Sequence, residues 1–189
     1  MRLEPRSALG GQFGDASDIA EIADLAVCER ADFGCLLVTA AIASADIGEK
    51  ASAAIGVELP SSAGTVITHG GRVAVWFSPQ SWLILCGLED EMGVVARVNA
   101  AFPDKLVHAT PFTDSLCWFE LRGSRAETLL QKGGPISLER GGLAVGRAKR
   151  TLIAGITAII IHKEEDAWHV GIERSRARYF SEWLMSGEV

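Results

Sequence analysis

The side chains that most often carry out chemistry are present in this sequence, but their spacing does not group them into a familiar site. The cysteines are Cys28, Cys35, Cys86 and Cys117. They form no CxxC pair and lie near no histidine at the spacing of a zinc site, so the pattern predicts buried, reduced thiols, as is typical of cytoplasmic proteins. The sequence also lacks glycine-rich phosphate-binding motifs, the GxSxG nucleophile elbow and the HExxH zinc motif.

Two other groups of residues are candidates for catalysis. Asp114, Ser115 and Cys117 are close in sequence, as a nucleophile and an acid would be. Alternation along a strand puts Cys117 on the face opposite Asp114, however, so no base faces the thiol. His162 and His169 would meet across a hairpin, although exposed histidines at strand ends are the commoner outcome. We therefore predict no catalytic, cofactor-binding or metal-binding residue.

Two basic clusters are the best candidates for binding. They contain Arg147, Lys149 and Arg150, and then Arg174, Arg176 and Arg178. The second cluster lies in the first turn of a predicted helix, where the helix dipole disfavours each cation by about 0.3–1 kcal/mol. Carboxylates of a partner subunit or an anionic ligand would offset that cost, or the arginines form a solvated face beside Glu173. Trp183 is a further candidate contact with a neighbouring chain.

The elements that position these residues follow one order twice. In the first half, Phe33–Ala41 predicts a strand, and the spacing of Ile47 and Ile55 predicts a helix. Strands over Arg72–Phe77 and Trp82–Gly87 flank a proline turn, and a second helix follows. The predicted buried stripe of that helix is Met92, Val95, Ala96, Asn99 and Phe102.

The second half repeats this order. Leu116–Leu121 predicts a strand, and Ser124 with Glu127 predicts a capping box at the start of a helix. Lys149–Ile161 and Trp168–Ile172 predict strands joined by a turn, and the last helix is expected to bury Ala177, Phe180, Trp183 and Leu184. We predict an α+β fold of two similar strand-helix-strand-strand-helix halves, with antiparallel sheets covered by helices. A single mixed sheet is the alternative.

We predict one domain over residues 33–189, built of halves 33–105 and 112–186, after an N-terminal arm of residues 1–32. The arm is acidic and loosely patterned, and it offers one possible helical stripe, formed by Ile19, Ile22, Ala23 and Ala26. The chain has 189 residues, 48% of them hydrophobic, as expected for a well-packed globular protein. Its net charge of -6 argues against nucleic acid or an anionic membrane as partner. The apolar runs are far shorter than the ~20 residues of a membrane span.

Three ordered blocks of sequence carry a resemblance to a known family. The first is Trp76–Leu85, the second runs from Asp114 through Leu121-Arg122-Gly123 to Thr151, and the third is Arg174–Leu184. They are similar to blocks of the gamma subunits of heterotetrameric sarcosine oxidases, and together they cover most of the chain. The sequence departs from the family pattern at Gly134, Ser137 and Ser78, where cysteine, aspartate and glycine are usual. Members of the family resemble the folate-binding domains of aminomethyltransferases, which fits the two-half α+β prediction.

The resemblance implies a non-catalytic gamma subunit, inactive alone, in a bacterial complex with alpha, beta and delta subunits. Such a complex oxidises sarcosine to glycine in sarcosine catabolism, passes the one-carbon unit to tetrahydrofolate and sends electrons through flavin to oxygen. FAD, FMN, NAD, zinc and tetrahydrofolate are expected in the partner subunits and none of them in this chain.

Two alternatives stay open. A stand-alone folate-binding or one-carbon transfer protein would need a pocket that stacks a pterin beside an acid, for which Asp114 is the candidate. A homodimeric binding module would use an exposed tryptophan and the arginines as a self-complementary patch.

Overall fold

The computed structural model describes residues 4–22, 24–138 and 142–186. The strands are β1 (Ala16–Ile22), β2 (Leu25–Arg30), β3 (Phe33–Ala40), β4 (Val66–His69), β5 (Arg72–Ser78), β6 (Ser81–Gly87), β7 (Val107–Pro111), β8 (Leu116–Arg122), β9 (Arg147–Ile153), β10 (Ile156–Glu164) and β11 (Ala167–Glu173). The helices are α1 (Ala45–Ile55), α2 (Glu91–Ala101), α3 (Arg125–Gly133) and α4 (Ala177–Ser186).

These elements form two compact units. The first unit combines Met1–Asp32 with Asp114–Val189, and the second unit is Phe33–Thr113. Each unit contains one sheet, and every pair of neighbouring strands in both sheets is antiparallel. The predicted α+β class with antiparallel sheets covered by helices is therefore confirmed, and there are two sheets rather than one mixed sheet.

The first unit has a six-stranded sheet in the order β1-β2-β8-β11-β10-β9. Since side chains alternate along a strand, one face of this sheet packs against α3 and α4. Phe119 of β8 and Phe180 of α4 meet there with ring centroids 5.3 Å apart. Leu121, Leu130 and Trp168 belong to the same core. Burial of each such side chain is worth about 1.5–3 kcal/mol, so this apolar face determines which side of the sheet the helices cover.

The second unit has a five-stranded sheet in the order β4-β5-β6-β3-β7, and its helices are α1 and α2. Leu36 of β3 and Ile84 of β6 pack with Ile55 of α1 and with Val94 and Val98 of α2 in one buried cluster. The alternating apolar residues of β3 and β6 thus build the core of this unit in the same way as in the first unit.

Two details of the predicted helices were wrong. Met92, predicted to face the core, is 63% exposed, because Val94 and Val98 set the buried face of α2 instead. The Ser124 side chain forms no cap hydrogen bond, because Ser124 has helical backbone angles, φ of -61° and ψ of -22°, and not the extended angles that are usual for a capping residue. Glu127 instead accepts a hydrogen bond of 2.9 Å from Gln131.

Each repeat contains one strand more than predicted. The observed orders are β3-α1-β4-β5-β6-α2 and β8-α3-β9-β10-β11-α4. The predicted strand Lys149–Ile161 is divided between β9 and β10 by Ala154-Gly155, with φ of 53° and 75°, and Gly70-Gly71 between β4 and β5 has φ of 57° and 75°. Positive φ at both positions gives the two-residue turn that best joins antiparallel strands. The repeat is therefore preserved down to its turns.

The N-terminal stretch is not the arm that the sequence predicted. Its residues form β1 and β2, and β2 pairs with β8 in the sheet of the first unit. Ile19, Ile22 and Ala26 accordingly lie in strands, and Ala23 lies outside the described residues. Glu29 of β2 is buried and accepts hydrogen bonds from Ser7 Oγ at 2.8 Å and from the Leu9 backbone at 3.2 Å. The segment before β1 is thus fastened to the same sheet.

We expect Gly123→Ala to destabilise the protein by about 2–3 kcal/mol. Gly123 connects β8 to α3 with φ of +111°, and a Cβ there would lie 2.0 Å from the Asp24 carbonyl oxygen. The matched control is Gly93→Ala in α2, where an added Cβ has only the Arg97 side chain nearby, at 3.5 Å. Alanine favours helix over glycine, so the control should be neutral or stabilising. Urea unfolding followed by tryptophan fluorescence measures both, and equal stabilities for the two variants would contradict this account.

Candidate functional site

The cysteine thiols are unsuited to nucleophilic or metal chemistry. Cys35, Cys86 and Cys117 are buried. Burial raises the pKa of Cys86 to about 11 and also raises the pKa values of Cys35 and Cys117, so these thiols stay protonated near neutral pH. Among the described residues, no three of the His, Cys, Asp and Glu side chains are placed to hold a metal ion together. Within the same residues, each helix is too short or too polar to cross a membrane.

A cluster of paired charges lies on the face of the first unit's sheet opposite α3 and α4. Glu120 of β8 is 5% exposed, and its carboxylate forms ion pairs with Arg30 of β2 and with Arg122. His169 Nε2 on β11 lies 2.9 Å from Glu120 Oε2. An ionised carboxylate can only accept hydrogen bonds, so His169 is the donor. Arg30 also binds Asp32 through two hydrogen bonds of 2.7 Å.

The pKa values in this cluster follow from burial and pairing. Burial would raise the pKa of Glu120, but the hydrogen bonds from His169 and Arg122 and the charge of Arg30 outweigh burial and lower it to about 2. The hydrogen bonds from Arg30 lower the pKa of Asp32, against a weaker effect of burial. Burial lowers the pKa of His169, and the hydrogen bond to Glu120 opposes that shift. Near neutral pH, two carboxylates therefore face two guanidinium groups.

Such a cluster can stabilise the sheet but is poorly suited to proton transfer. A general base needs a pKa near the working pH and access to a substrate, whereas Glu120 is buried, strongly acidic and already engaged by three side chains. The sequence analysis did not predict this cluster and expected strand-end histidines to be exposed, so buried His169 is a correction. The one available signal was a glutamate inside the otherwise apolar strand β8.

The basic residues predicted to contact a partner all lie in the first unit. Arg147 and Arg150 are exposed on β9, the last strand in the sheet order. Arg176 is exposed in the 3-10 turn that precedes α4, and Arg178 is exposed in the first turn of α4, where it pairs with Glu182 at 3.3 Å. Arg174 is engaged inside the chain, since it donates a hydrogen bond of 2.7 Å to the Arg6 carbonyl.

The two remaining candidate residues have partners within the first unit. Trp183 is half-buried and packs against Phe180, with ring centroids 5.5 Å apart. Asp114 has a largely exposed side chain that forms an ion pair of 3.8 Å with Arg174. The charge of Arg174, which the helix dipole disfavours, is therefore offset in part by Asp114 of the same chain.

The second unit contains a pocket of about 950 Å³ that the sequence analysis did not predict. Its walls include Trp76 of β5 and Trp82 of β6, which stand directly opposite each other in the hairpin. The Trp82 indole donates a hydrogen bond of 2.8 Å to the Pro60 carbonyl, which fixes one wall. Ser52 of α1 accepts a hydrogen bond of 3.0 Å from the Leu59 backbone and so holds the loop that forms another wall.

The charge of the pocket is negative. Its lining residues include two carboxylates, Glu49 and Glu58, and no lysine, arginine or histidine. Asp114, the acid predicted for a folate site, is not one of them. The remaining lining is mostly apolar, with the two tryptophans as its largest side chains. The volume falls in the ~300–1,000 Å³ range of ligand pockets, and the lining is mostly apolar as in such pockets.

Comparison with known proteins identifies one family. The family model described as "Sarcosine oxidase, gamma subunit family" matches residues 40–188. Curated protein sequences give no match to the chain.

Two solved structures share the fold. A heterotetrameric sarcosine oxidase from Corynebacterium sp. U-96 matches with a TM-score of 0.79 and 22% identity, over 88% of this chain and 85% of that one. A glycine cleavage system aminomethyltransferase T from Bartonella henselae matches with a TM-score of 0.62 and 12% identity, over 91% of this chain and 45% of that one. The predicted likeness to both groups is confirmed at the level of the fold.

We expect Glu120→Gln to lower the free energy of unfolding by about 3 kcal/mol, at the low end for a broken buried ion pair, because Arg30 and Arg122 lose the Glu120 charge while Arg30 keeps Asp32 as a partner. Glu164→Gln, at an exposed strand end, is the control and should have little effect. The measurement is urea unfolding at neutral pH, with circular dichroism to confirm that each variant folds.

The same pair of variants tests the pH dependence. Glu120 has a folded-state pKa of about 2 against an ordinary value of 4.5, so the unfolded chain binds its proton first as the pH falls. The contribution of Glu120 is complete above pH 4.5 and is lost between there and about pH 2. The stability of Glu120→Gln should therefore fall less across this window than that of the wild type. Parallel pH curves would contradict the assignment.

Proposed function

Since this chain belongs to the sarcosine oxidase gamma subunit family, we propose that it is a non-catalytic gamma subunit of a heterotetrameric sarcosine oxidase. The observation that carries the proposal is the family match across residues 40–188, which covers the second repeat and the first repeat from the end of β3 onward. In this role the chain contributes surfaces for assembly, and the reaction takes place on its partners.

The chemistry of the described side chains supports a role in assembly. The buried carboxylates Glu29 and Glu120 are both engaged, Glu29 by Ser7 and the Leu9 backbone and Glu120 by its arginines and histidine. The buried thiols have raised pKa values. Groups held in this way stabilise a fold, whereas a catalytic acid, base or nucleophile needs a free lone pair or proton facing a substrate.

The reaction of the complex is part of the proposal. The complex oxidises sarcosine to glycine, passes the one-carbon unit to tetrahydrofolate and transfers electrons through flavin to oxygen. We assign FAD, FMN, NAD, zinc and tetrahydrofolate to the alpha, beta and delta subunits.

A stand-alone folate-binding protein is the second candidate, and one observation favours it. The pocket of the second unit has two tryptophans, which are suited to stack a flat heterocycle. Its charge argues the other way, because Glu49 and Glu58 would repel the carboxylates of a folate tail, and no basic residue lines the pocket. The gamma-subunit role therefore remains the better supported function.

We propose that the exposed arginines of the first unit contact an acidic surface of a partner subunit. Arg147 and Arg150 lie on β9, whose outer edge has no strand neighbour within the described residues. Leu152 of the same strand is an exposed apolar side chain. Arg176 and Arg178 extend the positive charge to α4, where the helix dipole disfavours cations unless a carboxylate is nearby. Trp183 belongs to the same helix, although its ring packs against Phe180 within the unit.

We expect the isolated chain to purify as a colourless protein without sarcosine oxidase activity. Co-expression with the alpha, beta and delta subunits of its own organism should give a yellow complex that contains this chain. The measurements are absorbance at flavin wavelengths, oxygen consumption with sarcosine, and size-exclusion chromatography with light scattering. Flavin retention or sarcosine turnover by the lone chain would overturn the proposal, and so would saturable tetrahydrofolate binding by a stable homodimer.

We expect Arg176→Glu together with Arg178→Glu to weaken assembly of the complex about tenfold or more, with the larger effect at low salt. The isolated variant should remain as stable as the wild type within ~1 kcal/mol, because glutamates suit the start of a helix. Arg174 is left unchanged, since it binds the Arg6 carbonyl and Asp114.

The matched control is Lys105→Glu together with Lys163→Glu, which changes the net charge equally at two exposed positions outside the basic clusters. This control should assemble normally. Affinity capture of the co-expressed complex at several salt concentrations compares the two. If both double variants assemble equally well, the proposed arginine contact does not exist.

A further inference from the structure

The pocket of the second unit is not explained by the basic contact of the first unit. We propose that this pocket receives an apolar segment of a partner subunit that carries a lysine or arginine side chain. The inference rests on the proposed function, because it needs a partner subunit. It adds an acidic contact surface on the second unit to the basic contact surface proposed on the first unit. Three properties of the pocket carry it: its shape, its exposed apolar rim and its charge.

The shape of the pocket comes from large side chains on the sheet facing small residues on α1. Trp76 and Trp82 form the sheet side, and Ala45, Gly48 and Ala51 are on the helix side. A Cβ built on Gly48 would meet no atom within 4 Å, so the space beside the helix is open at that point. Proteins pack their interiors closely, and a cavity of about 950 Å³ next to a well-filled core is therefore a surface shaped for another group.

The rim identifies that group as part of a protein rather than an enclosed small ligand. Ile42, at the edge of the pocket, is 49% exposed, and every residue from 41 to 46 is exposed. An apolar side chain at the mouth of an apolar pocket marks a surface that another chain covers. Trp82 is already positioned, because its indole is bound to the Pro60 carbonyl. A partner segment would then bury both Ile42 and the tryptophan faces.

The charge of the pocket determines the chemistry of the segment. Glu49 and Glu58 are the charged residues of the lining, and no cation offsets them there. An aspartate or glutamate in the segment would be repelled, while a lysine or arginine would pair with these carboxylates or lie over a tryptophan face. The expected occupant is therefore a short apolar stretch next to at least one basic side chain.

The test fills the pocket without disturbing the fold. Gly48→Leu places a branched side chain in the open space beside α1 and replaces a helical glycine with a stronger helix former. The control is Gly93→Leu, the same change in α2, where the helix is exposed and the nearest atom to an added Cβ is on the Arg97 side chain at 3.5 Å. Both isolated variants should keep the wild-type melting temperature or exceed it.

Each variant is then co-expressed with the alpha, beta and delta subunits, and the fraction of chain assembled is measured by native mass spectrometry. Gly48→Leu should lower the association constant at least tenfold, and Gly93→Leu should leave it unchanged. Glu49→Lys together with Glu58→Lys should also weaken assembly, whereas Glu49→Gln with Glu58→Gln should weaken it less. Hydrogen exchange of the wild type should show residues 42–52 protected in the complex.

The outcomes separate this inference from the function on which it rests. If the wild-type chain joins no complex, the proposed function fails and the inference fails with it. If the wild type assembles but Gly48→Leu assembles equally well, the pocket is not a subunit contact and the function stands. Equal loss with Gly48→Leu and Gly93→Leu, or a small molecule held in the pocket of the assembled wild type, would likewise overturn the inference.

Discussion

The pairing of β2 with β8 is the interaction on which the first unit depends. Without it, β8 would have a strand neighbour on one side only, and backbone groups in a buried part of the sheet would lose their hydrogen bonds. In the second unit, β7 has the corresponding role. It comes just before the second repeat in the chain, but it pairs with β3, the first strand of the first repeat. The strand before the first repeat, β2, thus pairs with the first strand of the second repeat, and the strand before the second repeat, β7, pairs with the first strand of the first repeat. The first unit is consequently built from two separated stretches of sequence.

The same pairing explains the buried charges on both faces of β2. Arg30 on one face reaches Glu120, while Glu29 on the other face binds Ser7 and the Leu9 backbone. A slip of one residue between β2 and β8 would exchange these faces, so that Glu120 would lose Arg30 and Glu29 would lose its hydrogen bonds from Ser7 and Leu9. Burying an unpaired carboxylate is costly. The polar contacts therefore specify the register, while the apolar contacts of Phe119 and its neighbours supply most of the stability.

The sequence was sufficient for features that depend on local pattern and insufficient for those that depend on register. Helices and most strands follow from periodicity, and the repeat followed from the order of these elements. The prediction of an N-terminal arm was wrong because β2 pairs with β8, which is distant in the sequence, as the pairing of Arg30 with Trp118 shows. No local sequence pattern indicates such a partner. The Glu120 and His169 contact depends on the same kind of pairing. Gly70-Gly71 was a usable signal for a hairpin turn. Its counterpart Ala154-Gly155 gave a weaker signal, because alanine rarely adopts the positive φ that Ala154 has in this turn.

The charged residues fall into two groups, those that pair within the fold and those that are exposed on its surface. The charges of Glu120 and Asp32 balance those of Arg30 and Arg122, so this cluster contributes little attraction for another molecule. The exposed charges of the two proposed contact surfaces differ in sign. Exposed arginines lie on β9 and at the start of α4 in the first unit, whereas the charged lining residues of the pocket in the second unit are all carboxylates. The net charge of -6 conceals this division. A surface that binds the arginines must be acidic, and one that binds the pocket must carry a basic group. Electrostatic complementarity of this kind contributes more to the specificity of an interface than to its strength.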